Sequence, residues 1–205
     1  MNTVFLIDGF NFYHSIRKLP CQFHWLNYRT YCEHFLHKDD CAKRIFLFTA
    51  LAEWKKDGAA NRHRVLLEAE KIYDVTIVLG KFKEKSGYCP KCKETSIHHE
   101  EKYTDVNIAL TAYREAAKPD VDQIILITGD TDLVPAILAV KEDFPEKKVG
   151  IIFPFCKAND ELRHVSDFSI KTSKEWLSQC VMPLVLTKAN GAQITCPKEW
   201  IPKRD

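Results

Sequence analysis

Val4-Phe5-Leu6-Ile7-Asp8-Gly9-Phe10-Asn11 decides the fold: four consecutive apolar residues run into an acid, a glycine and, two residues on, an amide. A short run that is apolar at every position suits a strand buried on both faces, as in a parallel sheet. The pattern returns at Ile45-Phe-Leu-Phe-Thr49, Val75–Leu79, Ile124–Thr128 and Val149–Phe153. Helical spacing fills the intervals, at about residues 11–19, 26–37, 60–72, 105–117 and 133–141. Asn159-Asp160 predicts a helix cap, Phe168–Lys171 a sixth and weaker strand, and Lys174–Cys180 a last helix. The remaining tail reads as extended chain over the surface. Strand and helix in alternation imply an α/β fold, a mainly parallel sheet of five or six strands wound on both faces.

Composition narrows the classes. Apolar residues make up 45% and charged residues 28%, the balance of a globular chain with a real core. The net charge of +2 is too small to indicate nucleic acid by itself, so a local basic surface would have to do so. No stretch reaches the ~18 apolar residues of a membrane helix, and Val4–Ile7 is too short for a secretory signal. The eight cysteines are scattered, which fits free thiols in a reducing cytoplasm, the expected location.

Acidic residues stand where strands end or helices begin: Asp8 after the first strand, Asp105 in Lys102-Tyr-Thr-Asp105, and Asp130 and Asp132 in Thr128-Gly-Asp-Thr-Asp132. Ligands of open α/β sheets bind at the carboxyl ends of the strands. Carboxylates converging there suit a hard cation, magnesium or manganese. Two such ions about 4 Å apart can hold a phosphodiester, activate a water and stabilise the leaving oxygen. Asn11 adds no charge and can orient a water or an aspartate. Singly, each has an ordinary structural reading: Asp8 a turn residue, Asp105 a helix-start charge, Asn11 an N-cap, Asp130 and Asp132 a turn and a cap. Their joint placement points to a site.

Ile7-Asp-Gly-Phe-Asn11, Glu101-Lys-Tyr-Thr-Asp-Val106 and Thr128-Gly-Asp-Thr-Asp-Leu-Val-Pro135, in that order, resemble the motifs of the NYN domain, in the LabA-like group of PIN-like nucleases. The resemblance covers about residues 2–155 and a weaker region to 167. It implies a PIN-like three-layer domain over about residues 1–170, with an insertion at about 80–101, then a C-terminal helix and tail over 171–205. It implies that Asp8, Asp105, Asp130 and Asp132 carry the metal ions, supported by Asn11, in a metal-dependent ribonuclease that leaves a 5′-phosphate. Three features depart from the family pattern. Tyr103-Thr104 replaces Gly-x, Thr128 and Thr131 replace serines while keeping a hydroxyl by the metals, and Leu133 replaces Phe. A haloacid-dehalogenase phosphatase fits worse, since Phe10 stands where its second aspartate would be, and a Toprim domain fits worse, since Asp8 is not glutamate.

Cys89-Pro-Lys-Cys92, with His98 and His99 beyond, has the spacing of half a structural zinc site; a reduced thiol pair is the other reading. Lys81, Lys83 and Lys85, with Arg62 and Arg64, are the expected phosphate contacts, and Tyr88 and Tyr103 candidates for stacking on unpaired bases. His14 and His24 read as structural. The expected partner is RNA, preferentially single-stranded, with no membrane; a homodimer stays open. The alternatives are an RNA-binding module that cleaves nothing and a phosphatase of a small metabolite.

Overall fold

The computed structural model describes residues 1–88, 91 and 93–202. In β1 (Asn2–Asp8) consecutive side chains enter two different cores, Phe5 and Ile7 on one face and Val4 and Leu6 on the other. Each is fully buried, worth about 1.5–3 kcal/mol per side chain. The chain continues through α1 (Gly9–Ile16), α2 (Tyr28–Glu33), β2 (Cys41–Thr49), α3 (Ala59–Glu70) and β3 (Val75–Leu79). A hairpin, β4 (Lys81–Tyr88) and β5 (Thr95–Lys102), precedes α4 (Thr104–Ala116). Then come β6 (Gln123–Ile127), α5 (Val134–Asp143), β7 (Lys148–Phe153), α6 (Asp160–Val165), β8 (Phe168–Lys171) and α7 (Lys174–Gln179). A second hairpin, β9 (Val185–Thr187) and β10 (Gln193–Thr195), follows.

Six strands form one parallel sheet in the order β3-β2-β1-β6-β7-β8. One core holds residues of α1, α2, α3 and α7; the other holds residues of α4, α5 and α6. The α/β expectation holds, with six strands and helices on both faces. The chain leaves β1 towards β2 and leaves β6 towards β7, in opposite directions. The crevice between the carboxyl ends of β1 and β6 is therefore the switch point where such sheets bind ligands.

Four expectations need correction. The first helix starts at Gly9, not Asn11, because Asp8 is its N-cap and accepts from the Asn11 amide at 2.9 Å. Gly9 permits this immediate turn: a Cβ there would lie 2.7 Å from the Phe48 carbonyl oxygen. The second helix is only six residues, capped by Asn27. The stretch after Gly80 is a regular antiparallel ladder from Lys81↔Lys102 to Tyr88↔Thr95, not a loop. Its residues are mostly exposed, so no apolar alternation betrays the strands. The tail does not run over the surface: Met182, Leu186, Ile194 and Cys196 are buried in the core beneath α3, and the Trp25 indole donates to the Pro183 carbonyl at 2.9 Å.

Among the described residues, no helix is long and apolar enough to cross a membrane.

Candidate active site

At the switch point lies a cleft of about 170 Å³, lined by Asp8, Phe10, Asn11, Glu101, Thr104, Asp105 and Asp130. Asp8 ends β1 and is only 4% exposed. It is held from two sides: the Asn11 amide donates to one carboxylate oxygen at 2.9 Å, and the Thr128 hydroxyl donates to the other at 2.9 Å. Burial pushes its pKa up to about 6; the two hydrogen bonds oppose the rise, and the charges of Asp105 and Glu101 add to it.

Across the crevice the segment after β6 is tied by the same groups. Thr128 accepts from the Asp130 amide at 3.0 Å, and the Asn11 side-chain oxygen accepts from the Gly129 amide at 3.1 Å. Asp130 caps the short 3-10 turn at Thr131–Leu133, accepting from the Asp132 amide at 3.1 Å. Asn11, placed in the first turn of α1, thus bridges β1 to the β6 loop instead of capping its own helix.

Asp105 enters from the first turn of α4. Burial raises its pKa first, followed by the charges of Asp130 and Asp132. Asp105 is thus within electrostatic reach of Asp8, Asp130 and Asp132; Asp8, Asp105 and Asp130 line the one cleft, and Asp132 does not. Thr131 belongs to the same turn as Asp132.

Glu101 is a fifth carboxylate that the sequence reading passed over. It lines the cleft from β5, accepts the Thr104 hydroxyl at 2.6 Å, and has its pKa raised by burial and then by Asp105. Thr104 is the first residue of the helix, not its cap. The cap position belongs to Tyr103, at φ 80°, a left-handed conformation costly for a bulky residue. The family motif described above carries glycine there. The ring stays exposed, with the Lys81 ammonium 4.7 Å from its centre.

None of these five carboxylates has a cationic side-chain partner among the described residues. The donor set is oxygen only, which fits a hard divalent cation. Among the described residues no three acid, imidazole or thiol groups stand close enough to enclose an ion. The carboxylates instead ring the cleft. Magnesium tolerates that arrangement, since it keeps several waters and takes only one or two carboxylates plus substrate oxygens.

The other expected site residues are not part of this ring. Arg62 donates to the Asp57 carbonyl at 2.8 Å and pairs with Glu199 at 3.2 Å; Arg64 pairs with Glu53. Lys85 faces Glu100 at 3.8 Å. Lys81 and Lys83 stand near Tyr103, beside the cleft. Tyr88 is exposed on β4. Cys89 and Cys92 lie outside the described residues. His98 and His99 are consecutive on β5 and so point to opposite faces. His98 bonds Ser96 at 2.7 Å, while His99 stacks on Trp54 with ring centres 3.9 Å apart.

The sequence profile of the NYN domain matches residues 2–173. The chain belongs to the NYN domain family. That family falls within the PIN-like nuclease superfamily, whose members are generally nucleases. A solved structure shares the fold: a protein of unknown function from Vibrio parahaemolyticus superposes with a TM-score of 0.58 at 18% identity, over 85% of this chain and 94% of that one. A curated relative, 6-hydroxy-3-succinoylpyridine 3-monooxygenase HspA of Pseudomonas putida, is 36% identical over 55 residues. The match takes in 27% of this NYN chain and only 17% of that protein's length.

Proposed function

We propose that the chain is a magnesium- or manganese-dependent ribonuclease that hydrolyses phosphodiester bonds at the Asp8 cleft, preferentially in single-stranded RNA. The observation that carries the reading is the ring of carboxylates from four segments at the switch point, none with a side-chain cation among the described residues. A pure binding module would gain nothing from that repulsion.

Asp8, Asp105 and Asp130 would hold the ions, with Asp132 and Glu101 reaching in from the rim and the hairpin. When bound, the ions supply the positive charge needed to activate a water and stabilise the developing oxyanion. Thr128 and Asn11 fix the Asp8 carboxylate and the β6 loop, so the ligand oxygens are set before the substrate arrives. The proximity of Asp8, Asp105 and Glu101 also favours cation entry, since each added positive charge relieves mutual repulsion.

The test is incubation with labelled single- and double-stranded RNA and DNA, with and without magnesium or manganese, beside Asp130→Asn. Cleavage of single-stranded RNA that needs both metal and Asp130 is the expected result. No cleavage in either metal, or full cleavage by Asp130→Asn, would remove the reading.

A further inference from the structure

The rings around the cleft are not buried with the rest. Phe10 lines the cleft and is 44% exposed, its ring 4.3 Å from His14 and 6.3 Å from Phe82. Phe82 meets Trp54 edge-on at 4.4 Å, and Trp54, with one face stacked on His99, is itself 37% exposed. His14 also meets the ring of Tyr13, 49% exposed, at 5.6 Å. Aromatic contact is therefore continuous from α1, across the root of the β4–β5 hairpin, to the loop after β2. Phe12 and Ile16 take the inward face of α1, so Phe10 and Tyr13 fall on its other faces.

Positive charge accompanies the rings. His14 has its pKa lowered by burial and then by three cations within reach, Arg17, Lys157 and Lys55. None of these three has a carboxylate partner among the described residues. Lys157 also lies close to the residue before Asp130, its Cβ 3.4 Å from where a side chain at Gly129 would begin. So a ledge of exposed rings edged by free cations leads to an acidic cleft. That combination matches a strand of unpaired nucleotides, whose bases present flat faces and whose phosphates need cations. A duplex hides its base faces and would leave the rings unused.

We propose that the ledge formed by Tyr13, Phe10 and Trp54, with Arg17, Lys55 and Lys157 beside it, is the track on which single-stranded RNA stacks its bases as it enters the Asp8 cleft. This rests on the ribonuclease reading for the cleft, but binding and cleavage are separable. In chelator, with no cleavage possible by a metal route, labelled single-stranded RNA of about twelve nucleotides should bind and quench tryptophan fluorescence. Trp54→Leu should weaken that binding at least about fivefold, and an abasic strand of the same length should bind correspondingly less. Removing Arg17 and Lys157 together, each to alanine, should lower the slope of log affinity against log salt by about 0.7 per lost phosphate contact.

Circular dichroism of each variant separates misfolding from lost contacts. Unchanged affinity in a folded Trp54→Leu, or equal binding of abasic and normal strands, overturns the track and leaves the ribonuclease reading standing. Stacking-dependent binding in a parent protein that cleaves nothing with either metal supports the track and overturns the ribonuclease reading instead.

Discussion

Thr128 donates its hydroxyl to Asp8 at 2.9 Å, joining the carboxyl ends of β6 and β1 across the switch point. The same oxygen accepts from the Asp130 amide at 3.0 Å, so one buried side chain positions two of the cleft's carboxylates. Removing it leaves a buried carboxylate short of a donor and the Asp130 loop untethered.

Thr128→Val keeps the volume but deletes the hydroxyl. Supporting partners of metal ligands are commonly worth about 10- to 100-fold in affinity or activity. The expected outcome is a loss of that size in manganese-dependent RNA cleavage and a weaker metal titration, with Thr128→Ser close to the parent. Equal activity in Thr128→Val would mean that Asp8 needs no such support.

In the metal-free protein the buried acids favour the fold at low pH and withdraw that support as pH rises. Asp8, Glu70, Glu101 and Asp105 all have folded pKa values above their ordinary ones, chiefly through burial. A raised carboxylate binds its proton more tightly in the folded state, so its contribution is complete below the unfolded pKa and is lost as pH passes the folded one. For Asp8 the window runs from 3.8 to about 6. At about 1.4 kcal/mol per pH unit, that amounts to about 3 kcal/mol as an upper limit. Burial also lowers the pKa of His63 to about 4, which adds stability as pH rises over the same range. The readout is therefore the difference in thermal melts between the parent and Asp8→Asn in chelator, which should fall across this window. Manganese added at pH 7.5, about the middle of the neutral range, should raise the melting temperature of the parent by mass action and that of Asp8→Asn much less. A parent-minus-Asp8→Asn difference that is level from about pH 4 to 7 would contradict this account of Asp8.

Tyr103 carries a cost that its ring does not explain. A non-glycine residue at φ 80° is strained by about 1–3 kcal/mol, while glycine brings its own entropic penalty of about 0.5–1 kcal/mol. Tyr103→Gly should therefore stabilise the fold by about 1 kcal/mol in denaturant melts. Tyr103→Ala, which keeps a Cβ, should gain nothing. A destabilised Tyr103→Gly would show that the Lys81 contact at 4.7 Å outweighs the backbone strain.

The central strands were legible because each is buried on both faces, and no helix of that length and composition competes. The cleft aspartates were legible because each follows such a strand or opens a helix. The β4–β5 hairpin was not, because its ladder bonds are backbone and its side chains largely face water, leaving no periodicity. Glu101 was hidden with it: it opens the motif before Asp105, but it was given no role because the strand that carries it was not recognised. The short second helix was overread because Tyr31, Phe35 and Leu36 pack in one cluster, which helical spacing predicts, although the helix ends at Glu33. The buried tail was misjudged because its apolar residues are spread among prolines and polar turns, and only contact with Trp25 and α3 reveals what they cover. Partners distant in sequence were equally invisible, as with Glu199 beside Arg62.

That last pairing sets the basic residues apart in a measurable way. Arg62 and Arg64 each already face a carboxylate, so their charge is largely cancelled locally, whereas Lys81 and Lys83 flank Tyr103 beside the cleft, with no carboxylate paired to either among the described residues. Neutralising Lys81 and Lys83 together should weaken binding to single-stranded RNA uniformly across sequences and cut the salt slope by about 0.7 for each lost phosphate contact. Arg62→Ala and Arg64→Ala should change the slope little and stability by no more than about 1 kcal/mol, the range for exposed ion pairs. Salt titrations of binding in chelator provide the comparison. A larger slope change from the arginine pair than from the lysine pair would move the phosphate path from the hairpin root to α3.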